Sequence, residues 1–326
     1  GAGALLFGDS RVIATIEGSY SICDEIIDVW RSDQDNYIRT WEERFAREEG
    51  YTRIVPEAVA GALKKYNLTP PDFSSVILSA PSAGYVRAVA RGLGFDAKTQ
   101  VQPLLDDSIG DTGTALPLML LVAALEKAKA GDRILLADYG DGCDVLILKV
   151  TEEIENVRDR RGIKGYLASK APVEYGQYLR WREICPIEPP KRPPPDQQPV
   201  AAPAIWRDRK GGLVCIGSKC KRCGTPQYPP QRVCYKCGAK DEFEDYNFAD
   251  KKAKLTTFSH DYLVACPDPP ATLCIVDFEG GGRAWIDMAD RDAEQVKLDM
   301  PVEMTFRKIG YQGGFYNYWW KCQPIR

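Results

Sequence analysis

The sequence predicts an α/β unit, then a metal-binding ribbon, then a small all-β barrel. Three observations carry that prediction. Strand-like and helix-like segments alternate along the first part of the chain, as layered α/β cores require. Four cysteines then stand as two C-x2-C pairs separated by ten residues. Last, several short stretches of alternating polarity, set apart by Gly and Pro breaks, fill the C-terminal part.

Composition sets outer limits. At 326 residues the chain has room for two domains or three, and 44% hydrophobic with 27% charged residues is ordinary for a globular protein. The net charge of −3 gives no global reason to expect nucleic-acid or membrane binding. No apolar run is both long and pure enough to span a bilayer. The opening Gly1-Ala-Gly-Ala-Leu-Leu-Phe-Gly lacks the charged n-region of a signal peptide. Of 11 cysteines, four form the two pairs and the rest are scattered, which fits a reducing cytoplasm. The single histidine, His260, excludes chemistry that needs a His pair.

In the first part, Gly1 to Phe7 reads as a small-residue strand edge and Arg11 to Ile16 as a second strand. Tyr37, Trp41 and Phe45 recur every four residues, one stripe of a helix that Gly50 can end. Pro56 suits the first turn of a helix running to about Tyr66. Ser75 to Ser79 is a short buried strand, and Val86, Val89, Ala90 and Leu93 mark the next helix. Thr114 to Ala128 is apolar almost all round, so that helix must be buried on nearly every side. Arg133 to Ala137 and Cys143 to Val150 are strands joined by a glycine turn, Gly140 and Gly142.

The cysteine pairs are Cys220/Cys223 and Cys234/Cys237, each closed by a glycine, Gly224 and Gly238. Two such pairs can hold four thiolates around one Zn²⁺ with no coordination position left for water, so the metal is a structural staple. The alternatives at this spacing are redox dithiols or disulfides. The basic residues around the pairs, Lys219, Lys221, Arg222, Arg232, Lys236 and Lys240, suit a solvated face, single-stranded nucleic acid or CoA phosphates.

The proline-rich run between Pro186 and Pro203 reads as a stiff linker. Beyond the cysteines, strands are expected at Lys254 to Phe258, Thr272 to Phe278, Arg283 to Met288, Val302 to Phe306 and Tyr316 to Cys322. Five short strands of this kind suit an OB-fold barrel. His260 is expected to be structural, and the aromatic run from Tyr311 to Trp320 to fill the barrel, stack an adenine or dock a partner.

The segments Gly217-Ser-Lys-Cys-Lys-Arg-Cys-Gly224, Tyr228-Pro-Pro, Val233-Cys-Tyr-Lys-Cys-Gly238 and Val276-Asp-Phe-Glu-Gly-Gly-Gly282 resemble the zinc-ribbon/OB-fold proteins that accompany thiolase-like enzymes. The front half resembles the C-terminal half of 3-hydroxy-3-methylglutaryl-CoA synthases and related thiolase-fold enzymes. It does so at Gly1-Ala-Gly-Ala-Leu-Leu, Gly92-Leu-Gly-Phe95, Ile109-Gly-Asp-Thr-Gly113 and Lys129-Ala-Gly-Asp-Arg-Ile-Leu-Leu136. The resemblance implies an α/β thiolase-like half-domain (1–170), an extended linker (171–205), a rubredoxin-like zinc ribbon (206–245) and an OB-fold (246–326).

It also implies a site for a coenzyme A thioester built from Cys, His and Asn. The thiolate takes the acyl group, the imidazole moves a proton and the amide holds the developing enolate oxygen. The family's cysteine lies upstream of the strand that starts at Gly1. Its histidine position holds Ser79 and its asparagine position holds Asp111. An ionised Asp is acceptor-only and repels an enolate oxygen.

The candidate catalytic residues are therefore Ser79 and Asp111, with Ser82, Gly110, Gly140, Gly142 and Cys143 around an acyl-CoA cleft. The plainer alternatives are loop residues at strand ends and, for Cys143, a small buried side chain. Asp138 and Asp141, flanking the glycine turn, read as solvated or capping. The expected activity is carbon–carbon bond formation or cleavage on a CoA thioester, in an assembly with the missing N-terminal half or a partner thiolase or synthase. The rival is a non-catalytic scaffold that docks a true thiolase or synthase.

Overall fold

A computed structural model describes residues 1–35, 37–80, 82–182, 184–185, 188, 202–264, 266–312 and 315–326. Most of the proline-rich run and the Gly313-Gly314 break lie outside the described residues. The chain forms two compact units, Gly1–Lys170 and Ala171–Arg326.

The first unit contains strands β1 (Ala14–Cys23), β2 (Val29–Trp30), β3 (Arg39–Thr40), β4 (Ser75–Leu78), β5 (Arg133–Gly140) and β6 (Gly142–Val150). Its helices are α1 (Glu43–Phe45), α2 (Thr52–Tyr66), α3 (Ala83–Gly92), α4 (Asp106–Ile109), α5 (Leu116–Leu125) and α6 (Ile163–Ala168). The main sheet has the order β1-β6-β5-β4, with β4 and β5 parallel and the other pairs antiparallel.

The two faces of this sheet are separate cores. Val76, Leu78, Leu135, Ala137, Val145 and Ile147 pack with α2 and α3, whereas Ile77, Ile134, Leu136 and Leu148 pack with α5. The strand period of two makes that division, because successive side chains point to opposite faces. In α2 the buried positions Ile54, Val55, Ala58, Val59 and Ala62 form one stripe, and Asn67 closes the helix in the left-handed conformation.

Three elements differ from the expectations. Gly1 to Phe7 carries no strand, and the first strand runs to Cys23 rather than ending at Ile16. Tyr37 and Trp41 are not helical and, with Phe45, are exposed. Gly50 does not end a helix: the chain passes through a π-type turn, Ala46–Tyr51, directly into α2. The glycine is needed for space instead, since a Cβ there would fall 2.2 Å from Tyr139 Oη.

The apolar helix α5 is largely buried within this unit. Leu116, Pro117, Leu120, Leu121, Ala123 and Ala124 are covered, and Val122 is 38% exposed. Part of the cover comes from the start of the chain, where a Cβ on Gly3 would lie 2.7 Å from Leu118 Cβ.

The second unit opens with α7 (Tyr175–Trp181) and α8 (Ala202–Val214), both reaching into the 171–205 segment that reads as extended. Trp181 Nε1 donates to the Pro267 carbonyl at 3.1 Å, a tertiary contact that fixes α7. A three-stranded ribbon follows, β7 (Ile216–Cys220) between β8 (Pro226–Gln227) and β9 (Phe243–Asn247).

The remainder is a closed barrel of β10 (Lys252–Asp261), β11 (Ala271–Phe278), β12 (Arg283–Met288), β13 (Pro301–Gln312) and β14 (Phe315–Pro324). The order β10-β11-β12-β14-β13, with its parallel β12–β14 contact at Met288 and Cys322, is OB-fold topology. Inward positions alternate along β11 and β12, and Leu255, Val276, Val302 and Cys322 fill the core. His260 Nδ1 lies 3.0 Å from Thr272 Oγ1, which also accepts from the buried Arg291 Nε at 2.9 Å. The sole histidine is thus part of a structural network.

Candidate functional sites: a four-cysteine centre and the polar end of the α/β sheet

In the ribbon, Cys220 ends β7 and Cys223 follows in the turn, while Cys234 and Cys237 repeat the arrangement. In each turn the glycine amide bonds back to the first cysteine: Gly224 N to Cys220 O at 2.8 Å and Gly238 N to Cys234 O at 2.9 Å. Both glycines have φ of +71°, the left-handed region that a side chain would strain. The four Sγ atoms lie within 4.8 Å of one another. Cys220–Cys237 and Cys223–Cys234 are 3.7 and 3.5 Å apart. Zn–S bonds of about 2.3 Å in a tetrahedron need sulfurs about 3.8 Å apart, so the donor set fits zinc.

Four soft sulfurs close the coordination sphere, so zinc held here supplies folding free energy and no reactive water. The thiols interact as a set. Hydrogen bonds with Thr225, side chain first and then backbone, draw Cys223 down to about 6. Cys237 keeps an Ala239 hydrogen bond that lowers it, yet burial and the three neighbouring thiols push it up to about 12. Two of the basic ribbon residues are paired, Lys219 with Glu244 and Arg232 with Asp241. Between ribbon and barrel lies an open cleft of about 550 Å³, lined among others by Tyr228, Tyr235, Phe278, Gly282 and the Arg283–Asp277 ion pair.

In the α/β unit, Ser79 follows the last residue of β4 and is buried. The register pairs Leu78 with Ala137, which sets Ser79 beside Asp138. Ser79 Oγ donates to Asp138 Oδ1 at 2.8 Å, and Tyr139 N approaches the same hydroxyl at 3.4 Å. Across the β5–β6 hairpin Asp138 pairs with Asp144. Burial, and then the like charge of Asp144, raise the Asp138 carboxyl above the ordinary range, although the Ser79 bond pulls it down. Asp138 is therefore neither freely solvated nor a helix cap, which corrects the sequence reading.

The other candidates are placed as follows. Ser82 caps α3, accepting from Gly84 N at 3.2 Å. Gly142 has φ of +122°, and a Cβ on it would overlap the Ile22 carbonyl, so the tight β5–β6 turn demands glycine. Cys143 is buried in the core on the α2 side, the sheet face opposite Ser79 and Asp138, where burial pushes its thiol up to about 12.

Asp111 is exposed, and its Oδ1 accepts from Gly113 N at 2.8 Å, a turn-forming role beside Gly110 with its φ of +67°. No hydrogen bond joins Asp111 to Ser79 or Asp138 among the described residues. The two places share one end of the sheet. The chain leaves the carboxyl end of β4 and re-enters β5 at its amino end directly after α5, so α5 runs antiparallel to β5 and begins near the carboxyl ends of both strands. That is where ligands bind in α/β sheets. The neighbouring Thr112 hydroxyl is buried with no partner among the described residues.

An α/β unit bearing polar residues at the carboxyl ends of parallel strands, joined to a four-cysteine ribbon and a closed OB-type barrel, defines the architecture of this protein. The comparisons are more particular. Residues 216–244 match the family model of the ChsH2 rubredoxin-like zinc ribbon domain. The chain is 34% identical over 187 residues to the hydroxymethylglutaryl-CoA synthase of Methanopyrus kandleri, covering 56% of this chain and 53% of that protein.

The Aeropyrum pernix hydroxymethylglutaryl-CoA synthase is 35% identical over 187 residues, covering 56% and 51%. The chain thus spans about half the length of the curated relatives it matches. Among solved structures, a hydroxymethylglutaryl-CoA synthase complexed with CoA gives a TM-score of 0.43 at 16% identity over 52% of this chain and 47% of that one. An Ltp2–ChsH2(DUF35) aldolase gives 0.31 at 16% identity over 40% of this chain and all of that one. No helix among the described residues is long and apolar enough to cross a membrane.

Proposed function

We propose that the chain handles acyl-CoA in a thiolase- or hydroxymethylglutaryl-CoA-synthase-like assembly that forms or breaks a carbon–carbon bond on a CoA thioester. The observation that carries this reading is the 34% identity to a hydroxymethylglutaryl-CoA synthase over 187 residues. The polar groups at the carboxyl ends of β4 and β5 support it. The acyl-CoA is to lie at that end of the sheet, against Ser79, Ser82, the Gly110–Asp111 turn and the Gly140–Gly142 hairpin, with Cys143 packed beneath on the other face. The complementary half of the site comes from a thiolase-like partner, either an upstream segment or a second subunit. Zn²⁺ on Cys220, Cys223, Cys234 and Cys237 holds the ribbon, and the free cysteines suit a reducing cytoplasm.

A second reading, a scaffold for a true thiolase or synthase, is favoured by Ser79 and Asp111 standing where the resembled family has a base and an amide. Isothermal titration of the assembly, as it purifies from its source, with CoA and acetyl-CoA tests the first reading. Saturable heat is expected, and its absence for both ligands would sink it. Asp111→Ala in the same assembly then separates the two. Loss of turnover with acyl-CoA binding retained places chemistry on this chain, and full activity takes Asp111 out of it.

A further inference from the structure

Sequence matching points to Ser79 because it occupies a family position, but a serine hydroxyl is no base near neutral pH. The structure supplies the group beside it. Asp138 sits on β5 next to Ser79, on the sheet face that carries α5 and at the carboxyl end of the parallel pair β4–β5. Ser79 donates to one carboxylate oxygen and so fixes the rotamer of Asp138. Asp138 is half-buried, partly dehydrated yet still open to a ligand. From the third strand Asp144 faces it directly, and neither carboxylate has a salt-bridge partner among the described residues. The arrangement is a carboxylate oriented by a hydroxyl and held close to a like charge.

We propose that Asp138 is the proton-transfer residue of this end of the sheet, with Ser79 as its positioning residue. The inference rests on the acyl-CoA reading above and names the group that moves the proton. The bond that breaks is the C–H bond α to the thioester carbonyl. Its proton passes to the Asp138 carboxylate, and its electron pair moves onto the carbonyl oxygen as an enolate. Return of the proton to carbon restores the thioester, so no oxidant or co-reactant is required. Carbon–carbon bond formation and cleavage at a thioester α-carbon both pass through this enolate.

Burial and Asp144 both hold Asp138 toward its protonated form, which brings a carboxylate nearer the neutral range where a general base is effective. Asp144 is the charged group facing it from the neighbouring strand, and Ser79 the polar group from β4. Removing the charge of Asp144 should therefore move the acid limb of the reaction to lower pH, a response that a merely structural Asp138 would not give.

The test is deuterium incorporation into acetyl-CoA and propionyl-CoA in D2O, read by mass spectrometry, on the assembly as it purifies from its source. Wild type, Asp138→Asn, Ser79→Ala and Asp144→Asn are compared, with binding measured in parallel by calorimetry. The expected result is at least a ~100-fold loss of exchange in Asp138→Asn with CoA-thioester affinity unchanged, the low end of what a general base supplies. Ser79→Ala should give a smaller loss, and Asp144→Asn an acid limb at lower pH. Exchange within threefold of wild type in Asp138→Asn overturns the inference. So does a wild-type assembly that binds both thioesters and exchanges neither, which leaves the acyl-CoA reading standing. No binding by wild type overturns that reading and the inference with it.

Discussion

Cys220 and Cys237, the outermost ligands of the ribbon, are 17 positions apart, and their sulfurs meet at 3.7 Å. Ser79 and Asp138 are 59 positions apart and meet at 2.8 Å. The first contact is local chemistry: two glycine-closed turns, each at the tip of its own short antiparallel pairing, bring the thiols together, and a metal rewards their meeting. The second exists only because β4 and β5 pair in one register, which needs the intervening helices to pack on both sheet faces. A slip of one residue would send Ser79 to the opposite face. The ribbon therefore depends on an ion, and the α/β site on a core. Each can be broken while the other stands.

The largest separation should come from the metal. One Zn²⁺ per chain is expected by elemental analysis of the freshly purified protein. Structural zinc is worth on the order of 10 kcal/mol or more in small ribbons, so chelation or Cys234→Ala should unfold the ribbon outright. Amide exchange over residues 216–247 should become unprotected, while β4, β5 and β6 keep their protection. Intact ribbon protection in metal-free protein would contradict a structural role for the four cysteines.

The reciprocal change acts on the core. Leu120 on α5 is fully buried against the sheet. Leu120→Ala should destabilise the first unit by about 2–5 kcal/mol. Its melting transition should fall, with zinc content and ribbon protection unchanged. A transition that carries the ribbon with it would mean that the two units unfold together.

The same contrast explains what the sequence made legible. The cysteine spacing, the barrel strands and the buried strands β4, β5 and β6 were all readable, because each depends on local spacing or a period of two. Tyr37, Trp41 and Phe45 have helical spacing but join no core and stay more than half exposed, and periodicity alone cannot tell a stripe that finds a core from one that does not. Gly50 was read as a stop because glycine often ends helices, whereas its use here is to admit the Tyr139 hydroxyl, a contact from 89 positions away. Asp138 reads as solvated or capping because its contacts, too, come from distant positions. Its cross-strand partner Asp144 could have been found, since both lie three residues from Asp141 at the centre of the hairpin. Its bond to Ser79 could not, because the β4–β5 register is set by tertiary packing.

The smallest expected effect concerns Asp138 itself and has the opposite sign from the others. Its folded-state carboxyl is raised by burial first, against the Ser79 bond, with Asp144 adding to the rise. The folded protein therefore holds this proton more tightly than the unfolded chain. Below the unfolded value of about 3.8 the group is neutral in both states and costs nothing. As pH rises from there through the raised folded value, stability is lost, and the loss is complete above it.

Asp138→Asn removes the ionisation yet keeps an oxygen to accept the Ser79 hydroxyl. Its midpoint in urea should match wild type at pH 3.5 and exceed it modestly at pH 7.5. A variant less stable than wild type at pH 7.5 would show the ionised carboxylate to be a stabilising group. A more stable variant that also fails to exchange thioester protons would mean that the chain keeps a destabilising charge at this position for its chemistry, the trade expected where a site is strained for function.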